Sequence, residues 1–285
     1  MSTLNLPPLP RVVVSEVITR ALSEDLARGD LTTDATVPLD VQASCVLRAR
    51  EPLTLAGVGV FASVFKAVDP QLEVEIQRED GARMAAGDVG AVIRGAANPI
   101  LKGERVALNL IQRMCGVATK TASFVDALPA GATTRITDTR KTTPGLRALE
   151  RYAVRCGGGH NHRDDLSSAV LIKDNHVAAA GGVSNAIRRA RAFAPHTSKI
   201  ECEVDTFEQL DEALEAGADI VMLDNFDDDD LVRAVAVIEG RAFIEVSGGV
   251  TLARIPKIAA AGVDAISIGG LTHSARGMDL GLDWS

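Results

Sequence analysis

At 285 residues and a formal net charge of −8, the chain has the length of one large domain or two moderate ones. Its 46% hydrophobic content is that of an ordinary globular protein, while 3% aromatics and the acidic balance argue against nucleic-acid binding by base stacking or phosphate neutralisation. No apolar run approaches the roughly 20 residues of a membrane span, and Cys45, Cys115, Cys156 and Cys202 form no C-x-x-C pair, so a soluble, cytoplasmic protein with reduced thiols is expected.

The first part of the chain mixes its elements. "VVVSEVITRALSEDLA" has the pattern of an amphipathic helix, and "GDLTTDATV" that of a polar loop. "VQASCVLRARE" alternates as a strand, "GVFASVFKAVD" returns to a helix, and "QLEVEIQRED" alternates strictly. "AGDVGAVIRGAA" carries the glycine punctuation of short strands and turns. These elements predict a small α+β domain over residues 1–112. "KGERVALNLIQRMCGVATKTASFVDAL" follows as a long helical stretch of one or two helices, leading into a second domain over 113–285.

From residue 133 strands and helices alternate. "TTRITDTRK", "SAVLIKDN", "KIECEVD", "ADIVMLDN", "AFIEVSGG" and "DAISIGGL" are the strands, with helical segments such as "GLRALERYAVRC" and "TFEQLDEALEAG" between them. Parallel strands with right-handed crossovers follow from that order. Both a doubly wound sheet and a barrel fit the alternation. The strand ends carry Arg140 and Lys141, Lys173, Glu203, Asp224, Ser247 with Gly248 and Gly249, then Gly269 and Gly270. Chemistry at every strand end favours a barrel mouth over the single crevice of an open sheet. Six or seven units make the barrel incomplete, or one closed by another element.

The cations concentrate in one place. Between Arg140 and His176 stand seven Lys or Arg against four Asp or Glu, together with His160, His162 and His176. Like charges gathered in an acidic protein await an anion. Arg147, Arg151 and Arg155, spaced every four residues, are read as a solvated helix stripe. Arg140, Lys141 and Arg163 are the candidates for carboxylate or phosphate contacts. "GGGHNHR" lacks the G-K-[ST] of a nucleotide P-loop. His160 and His162 could suggest a metal, but hydrogen bonding to an anionic substrate is the role expected of them.

In "KIECEVD", strand parity puts Lys199, Glu201, Glu203 and Asp205 on one face. A network of ion pairs inside a small barrel would explain that face. A functional reading sets Glu203 at the mouth beside Asp224, where two carboxylates suit Mg²⁺ shared with phosphate oxygens, or sugar hydroxyls and a cationic transition state. "FDDDDL" is read as the acidic start of a helix. "EVSGGV" and "SIGGL" lie late in the barrel, where backbone N–H groups commonly hold a phosphate.

Taken together, "GERVALNLIQRMCGVAT", "DTRKTTPGLRALERYAVRCGGGHNHR", "LIKDNH", "ECEVDTFEQ", "VMLDN", "IEVSGGV" and "DAISIGGLTHS" resemble the quinolinate phosphoribosyltransferases. The resemblance implies an N-terminal α/β sandwich domain followed by an open or irregular, TIM-like α/β barrel of six to seven strands, with about the last 12 residues allowed to return to the first domain. It implies a homodimer in which Arg105 of one subunit serves the other's site. It also implies the joining of quinolinate to phosphoribosyl pyrophosphate with Mg²⁺, giving nicotinate mononucleotide, pyrophosphate and CO₂. Lys141, Lys173, Glu203 and Asp224 would be catalytic, the last two also holding Mg²⁺. Arg105, Thr139, Arg140, His162, Arg163, Ser247, Gly248, Gly249, Ser267, Gly269 and Gly270 would bind substrates. One departure is "HNHRDDL", where Asp164 and Asp165 would weaken dicarboxylate binding if they faced the site. A sister barrel family should lack part of the dicarboxylate cluster, and a ligand-binding barrel without catalysis has no need of Glu203 and Asp224 beside Lys141 and Lys173.

Overall fold

The computed structural model describes residues 6–284, which divide into two compact units. The first unit contains Met1–Ala122, Lys141–Gly159 and Gly270–Ser285. Its helices α1 (Arg11–Leu26), α2 (Leu31–Thr36) and α3 (Val58–Val68) accompany strands β1 (Gln42–Ala49), β2 (Leu53–Thr54), β3 (Glu73–Ile76), β4 (Arg83–Met84) and β5 (Val89–Ala96). β1 buries Cys45, Leu47 and Ala49 on alternate positions, the period of two that a half-covered strand requires. Phe61 and Phe65 of α3 meet edge to face at 5.0 Å within the same core.

Two expectations for this unit are corrected. "GDLTTDATV" holds the helix α2, because Asp30 caps it by accepting the Thr33 N–H at 3.0 Å. Six residues with an exposed Leu31 leave no apolar period to read. "AGDVGAVIRGAA" contains one continuous strand, β5, between β1 and β3. Its Gly95 permits close packing, since a Cβ there would stand 2.7 Å from Leu72.

Helix α4 (Ala97–Asp126) is a single 30-residue helix, within which the chain passes from the first unit to the second. Gly116 interrupts nothing: its missing Cβ would fall 1.8 Å from the Arg276 carbonyl oxygen, so it lets the C-terminal segment approach the helix. α5 (Arg147–Cys156) also belongs to the first unit. The arginines expected as a solvated stripe are half-buried there, and Arg147 Nε donates to Thr142 Oγ1 at 3.0 Å.

In the second unit, β6 (Arg135–Thr137) is followed by β7 (Val170–Ile172), α6 (Asp174–Ala180), α7 (Val183–Phe193), β8 (Ile200–Val204) and α8 (Phe207–Glu215). β9 (Ile220–Asp224), α9 (Asp228–Ile238), β10 (Phe243–Ser247), α10 (Ile255–Ala260) and β11 (Ala265–Ser267) complete it. All ladders in its sheet are parallel, in the order β6-β11-β10-β9-β8-β7. That is chain order wrapped once around, with no reversal. A doubly wound sheet needs a switch point, so this order is that of a barrel with its seam between β6 and β7. His160 runs parallel beside Thr137 on the edge of β6, and Arg163 Nη1 donates to the Ala169 carbonyl just before β7 at 3.1 Å. The segment 160–163 thus links the two seam strands in place of a seventh strand.

The chain ends in the first unit with α11 (Gly270–His273) and β12 (Leu280–Trp284), the latter antiparallel to β1 with Leu282 opposite Leu47.

Candidate active site

Register decides what faces the barrel interior. Glu203 lies opposite Met222, Met222 opposite Glu245, and Asp224 opposite Ser247. In-register residues of parallel strands share a face, so Glu201, Glu203, Asp224, Glu245 and Ser247 all point inward. The carboxylates of "KIECEVD" on this face sit at different depths. Glu201 takes part in a buried ion-pair cluster. Glu203, nearer the strand end, pairs with Lys173 at the start of α6. His176 does not join the anion-binding group: its Nδ1 accepts the Lys173 N–H at 3.0 Å and so caps α6.

Two cations of this unit, Arg140 and Arg163, stand at the seam. Arg140 follows β6 and Arg163 ends the segment beside it. Burial lowers the pKa of Arg163, and the charge on Arg140 lowers it further, against the opposing pull of Glu201. Two guanidiniums that feel one another's charge in a partly desolvated place favour the approach of an anion. Asp164 and Asp165 are exposed. Asp165 Oδ1 accepts the Ser167 N–H at 2.8 Å and its hydroxyl at 2.7 Å, which turns the chain towards β7.

His162 reaches the interior. Its Nε2 lies 3.2 Å from Glu201 and 3.3 Å from Glu245, while Nδ1 accepts the Arg163 N–H at 2.7 Å. Burial pushes the pKa of His162 down, but the two carboxylates outweigh it and raise it to about 10. Glu201 is raised, chiefly by burial. An imidazolium with two carboxylates carries the same charge and the same two protons as a neutral imidazole with one carboxylic acid and one carboxylate. The Nδ1 contact favours the neutral ring, because a protonated Nδ1 would oppose the Arg163 N–H. In both arrangements Nε2 holds a proton and donates it. The acids nearest His162 in the chain are the exposed Asp164 and Asp165. The fold brings it two, from 39 and 83 residues further along the chain. The ligand atoms of these three side chains lie within 4.8 Å of one another, a set that could hold a metal ion.

At the next strand ends, Asn225 has φ 59°, and its Nδ2 donates to Asp224 Oδ2 at 2.7 Å. Gly248 has φ 78°, and a Cβ there would stand 2.3 Å from Asn225 Oδ1 and 2.8 Å from Asp224 Oδ1. Glycine is required at that turn for both reasons. Gly248→Ala is expected to cost about 1–2 kcal/mol from the left-handed backbone alone, with the displacement of Asp224 in addition. Urea unfolding of the variant measures this, and an unchanged midpoint would mean that the turn relaxes freely. Gly248, Gly249, Asn225 and Arg254 border an open cavity of about 640 Å³. Arg254 Nη2 donates to the Phe226 carbonyl at 3.1 Å and pairs with Asp228 at 2.9 Å, bracing the loop after β9. Asp228 and its neighbours start α9, where Asp227 caps the helix, as read for "FDDDDL".

Thr139 and Gly269 close the strand ends of this unit, while Ser267 is buried, with Oγ 3.5 Å from the Val246 carbonyl oxygen. Arg105, Lys141 and Gly270 belong to the first unit. Arg105 is exposed on α4, the Lys141 carbonyl accepts the Thr272 hydroxyl at 2.8 Å, and Gly270 opens α11. Asp138, Asn161, Glu245 and Asn225 escaped the reading of the sequence. Of these only Asn225 carried a local signal, in "LDN" at a strand end.

The chain matches the family models for the quinolinate phosphoribosyl transferase N-terminal domain over residues 30–115 and C-terminal domain over residues 117–283. It is 45% identical over 274 residues to a nicotinate-nucleotide pyrophosphorylase (carboxylating) of Mycobacterium leprae, covering 94% of this chain and 96% of that one. A probable nicotinate-nucleotide pyrophosphorylase (carboxylating) of Bacillus subtilis is 42% identical over 262 residues, 91% of this chain and 89% of the other. Among solved structures, NadC from Streptococcus pyogenes has a TM-score of 0.93 at 40% identity, over 98% of this chain and 100% of that one.

Proposed function

The chain belongs to the quinolinate phosphoribosyltransferase family, and on that premise we infer that it transfers the phosphoribosyl group of phosphoribosyl pyrophosphate to quinolinate in NAD biosynthesis. Pyrophosphate and CO₂ leave and nicotinate mononucleotide remains. The observation that carries this reading is the placement of Arg140, just past β6, and Arg163, in the segment that runs beside β6, at the seam of a barrel whose inner face bears Glu203 and Asp224.

Arg140 and Arg163 neutralise the two carboxylates of quinolinate, and Lys141 and Lys173 add charge for the dicarboxylate and pyrophosphate. The backbone of Gly248, Gly249, Gly269 and Gly270, with Ser247, Ser267 and Thr139, holds the phosphoribosyl end. As the bond from the ribose carbon to pyrophosphate breaks, positive charge grows on the sugar, and the carboxylates of Glu203 and Asp224 stabilise it. The ring nitrogen of quinolinate then forms the new bond. Once that nitrogen is cationic, the adjacent carboxylate departs as CO₂, the ring takes its electron pair, and a proton replaces it. Positioning and charge perform the reaction without a covalent nucleophile.

Glu203 and Asp224 are hard oxygen donors on adjacent strands, a set that fits Mg²⁺ shared with substrate phosphates. When bound, that ion neutralises pyrophosphate oxygens. The histidine in the His162, Glu201 and Glu245 cluster makes it a poorer match for Mg²⁺. Arg105 serves the site of a second copy in a homodimer. The four free thiols are buried, in keeping with a cytoplasmic setting, and among the described residues no helix is long and apolar enough to cross a membrane.

Purified protein given quinolinate, phosphoribosyl pyrophosphate and Mg²⁺ is expected to release CO₂ and nicotinate mononucleotide in equal amounts, with loss of both in Lys141→Ala and on chelation of Mg²⁺. Mixing inactive Arg105→Ala and Lys141→Ala proteins should restore turnover if the two residues act from different subunits. Turnover of nicotinate alone would transfer the chain to a sister activity.

A further inference from the structure

Both ring nitrogens of His162 are engaged within the barrel, so the ring is committed before any substrate arrives. Its partners Glu201 and Glu245 stand on β8 and β10, 3% and 4% exposed, and the reaction described above does not use them. Burying a carboxylate is costly, and a well-packed apolar residue in its place is often no less stable. Oε1 of Glu245 is buried and meets His162 Nε2 at 3.3 Å as an ion pair, with no further hydrogen bond to offset the burial, which adds to that cost. Retaining two such groups for stability alone makes little physical sense.

What they hold is specific. The main chain at His162 is anchored from the other side by Asp138, fully buried, which accepts the His162 N–H and the Asn161 Nδ2–H at 2.7 Å each. The ring is anchored by Glu201 and Glu245. The next residue is Arg163, whose N–H closes onto the same ring and whose guanidinium donates to the Ala169 carbonyl at 3.1 Å. A turn fixed at both its backbone and its side chain has little freedom left, and the adjacent guanidinium inherits that order.

We propose that Glu201 and Glu245 are positioning residues of the transfer reaction, acting through His162 to fix the turn that presents Arg163 to the dicarboxylate. The proposal rests on the functional reading above. It gives His162 the role of a keystone in the barrel in addition to any contact it makes with substrate.

The test is the steady-state kinetics of Glu201→Gln and Glu245→Gln. Each keeps the side-chain shape and replaces a charge-assisted acceptor with a neutral one. The KM for quinolinate is expected to rise about tenfold, with the KM for phosphoribosyl pyrophosphate and kcat within about twofold. A fall in the KM for quinolinate would mean that the carboxylates merely repel the dianion, and the proposal would be wrong. A parallel rise in both KM values with a lower urea midpoint, or no kinetic change at all, would equally overturn it. Should the variants fail to fold, the unmodified enzyme carrying ¹⁵N-histidine decides. A sheltered Nε2–H resonance from His162 is expected, and an Nε2 without a bound proton would end the idea. So would stoichiometric Zn²⁺ bound by the unmodified enzyme and abolished in His162→Gln. If the unmodified enzyme turns over no quinolinate, the functional reading fails, and the NMR experiment still judges the geometry separately.

Discussion

Asp224→Asn and Glu203→Gln are expected to fold normally and to lose about 10²–10³ in kcat, roughly 2.7–4 kcal/mol of transition-state stabilisation. Both are nearly isosteric, so packing on the inner face is preserved. On the proposed mechanism, what disappears is negative charge where the ribose becomes cationic, a charge that matters least in the ground state. The KM for quinolinate should therefore change little, because the proposed mechanism assigns that substrate's carboxylates to Arg140 and Arg163. The two variants will differ in detail. Asn225 Nδ2 donates to Asp224 Oδ2 at 2.7 Å, so an amide at position 224 must turn its oxygen towards that donor. Glu203 is the partner of Lys173, and Glu203→Gln also leaves that ammonium without its counter-charge. Steady-state kinetics with each substrate varied in turn measures both effects. A kcat within threefold of the unmodified enzyme would remove these carboxylates from the chemistry.

The second large effect concerns stability and lies in the first unit. Arg113 on α4 donates to Glu150 Oε1 through Nε at 2.9 Å and Nη2 at 2.7 Å, to the Ala275 carbonyl at 2.5 Å, and to the Thr272 carbonyl. Glu150 has no exposed surface, and its other oxygen accepts the Thr143 N–H at 3.0 Å. Arg113→Ala strands a fully buried carboxylate and two carbonyls, and is expected to cost about 3–5 kcal/mol. The urea midpoint should fall accordingly. Arg113→Met with Glu150→Leu removes both charges together and should recover part of the loss, leaving the carbonyls of residues 272 and 275 as the remainder. A single variant as stable as the unmodified protein would show that water or another cation replaces the guanidinium.

The alternation from residue 133 was legible because strands and helices write different periods into the chain. The barrel itself was legible because a polar residue or a glycine pair stood at every strand end. Those signals are local, and a local signal survives in a linear sequence. The helix α2 was not legible, since six residues with an exposed leucine carry no apolar period and only the cap at Asp30 defines them. Nor was the continuity of β5, whose glycines serve packing rather than turns. The cation cluster, Glu203, Asp224 and the glycine pairs were singled out from residue type and place, and the acidic start of α9 from helix electrostatics.

The sequence by itself therefore determined the class of the fold, the polar residues and glycine pairs at the strand ends, and the family. Tertiary structure alone decided the partners. It set His162 between Glu201 and Glu245, Arg113 against Glu150, and Asn225 onto Asp224 under the missing Cβ of Gly248. The reason is physical. An element's period and caps depend on residues within about four positions of each other, whereas an ion pair in a barrel depends on strand register. Register brings together groups 39 and 83 residues apart that no spacing rule connects.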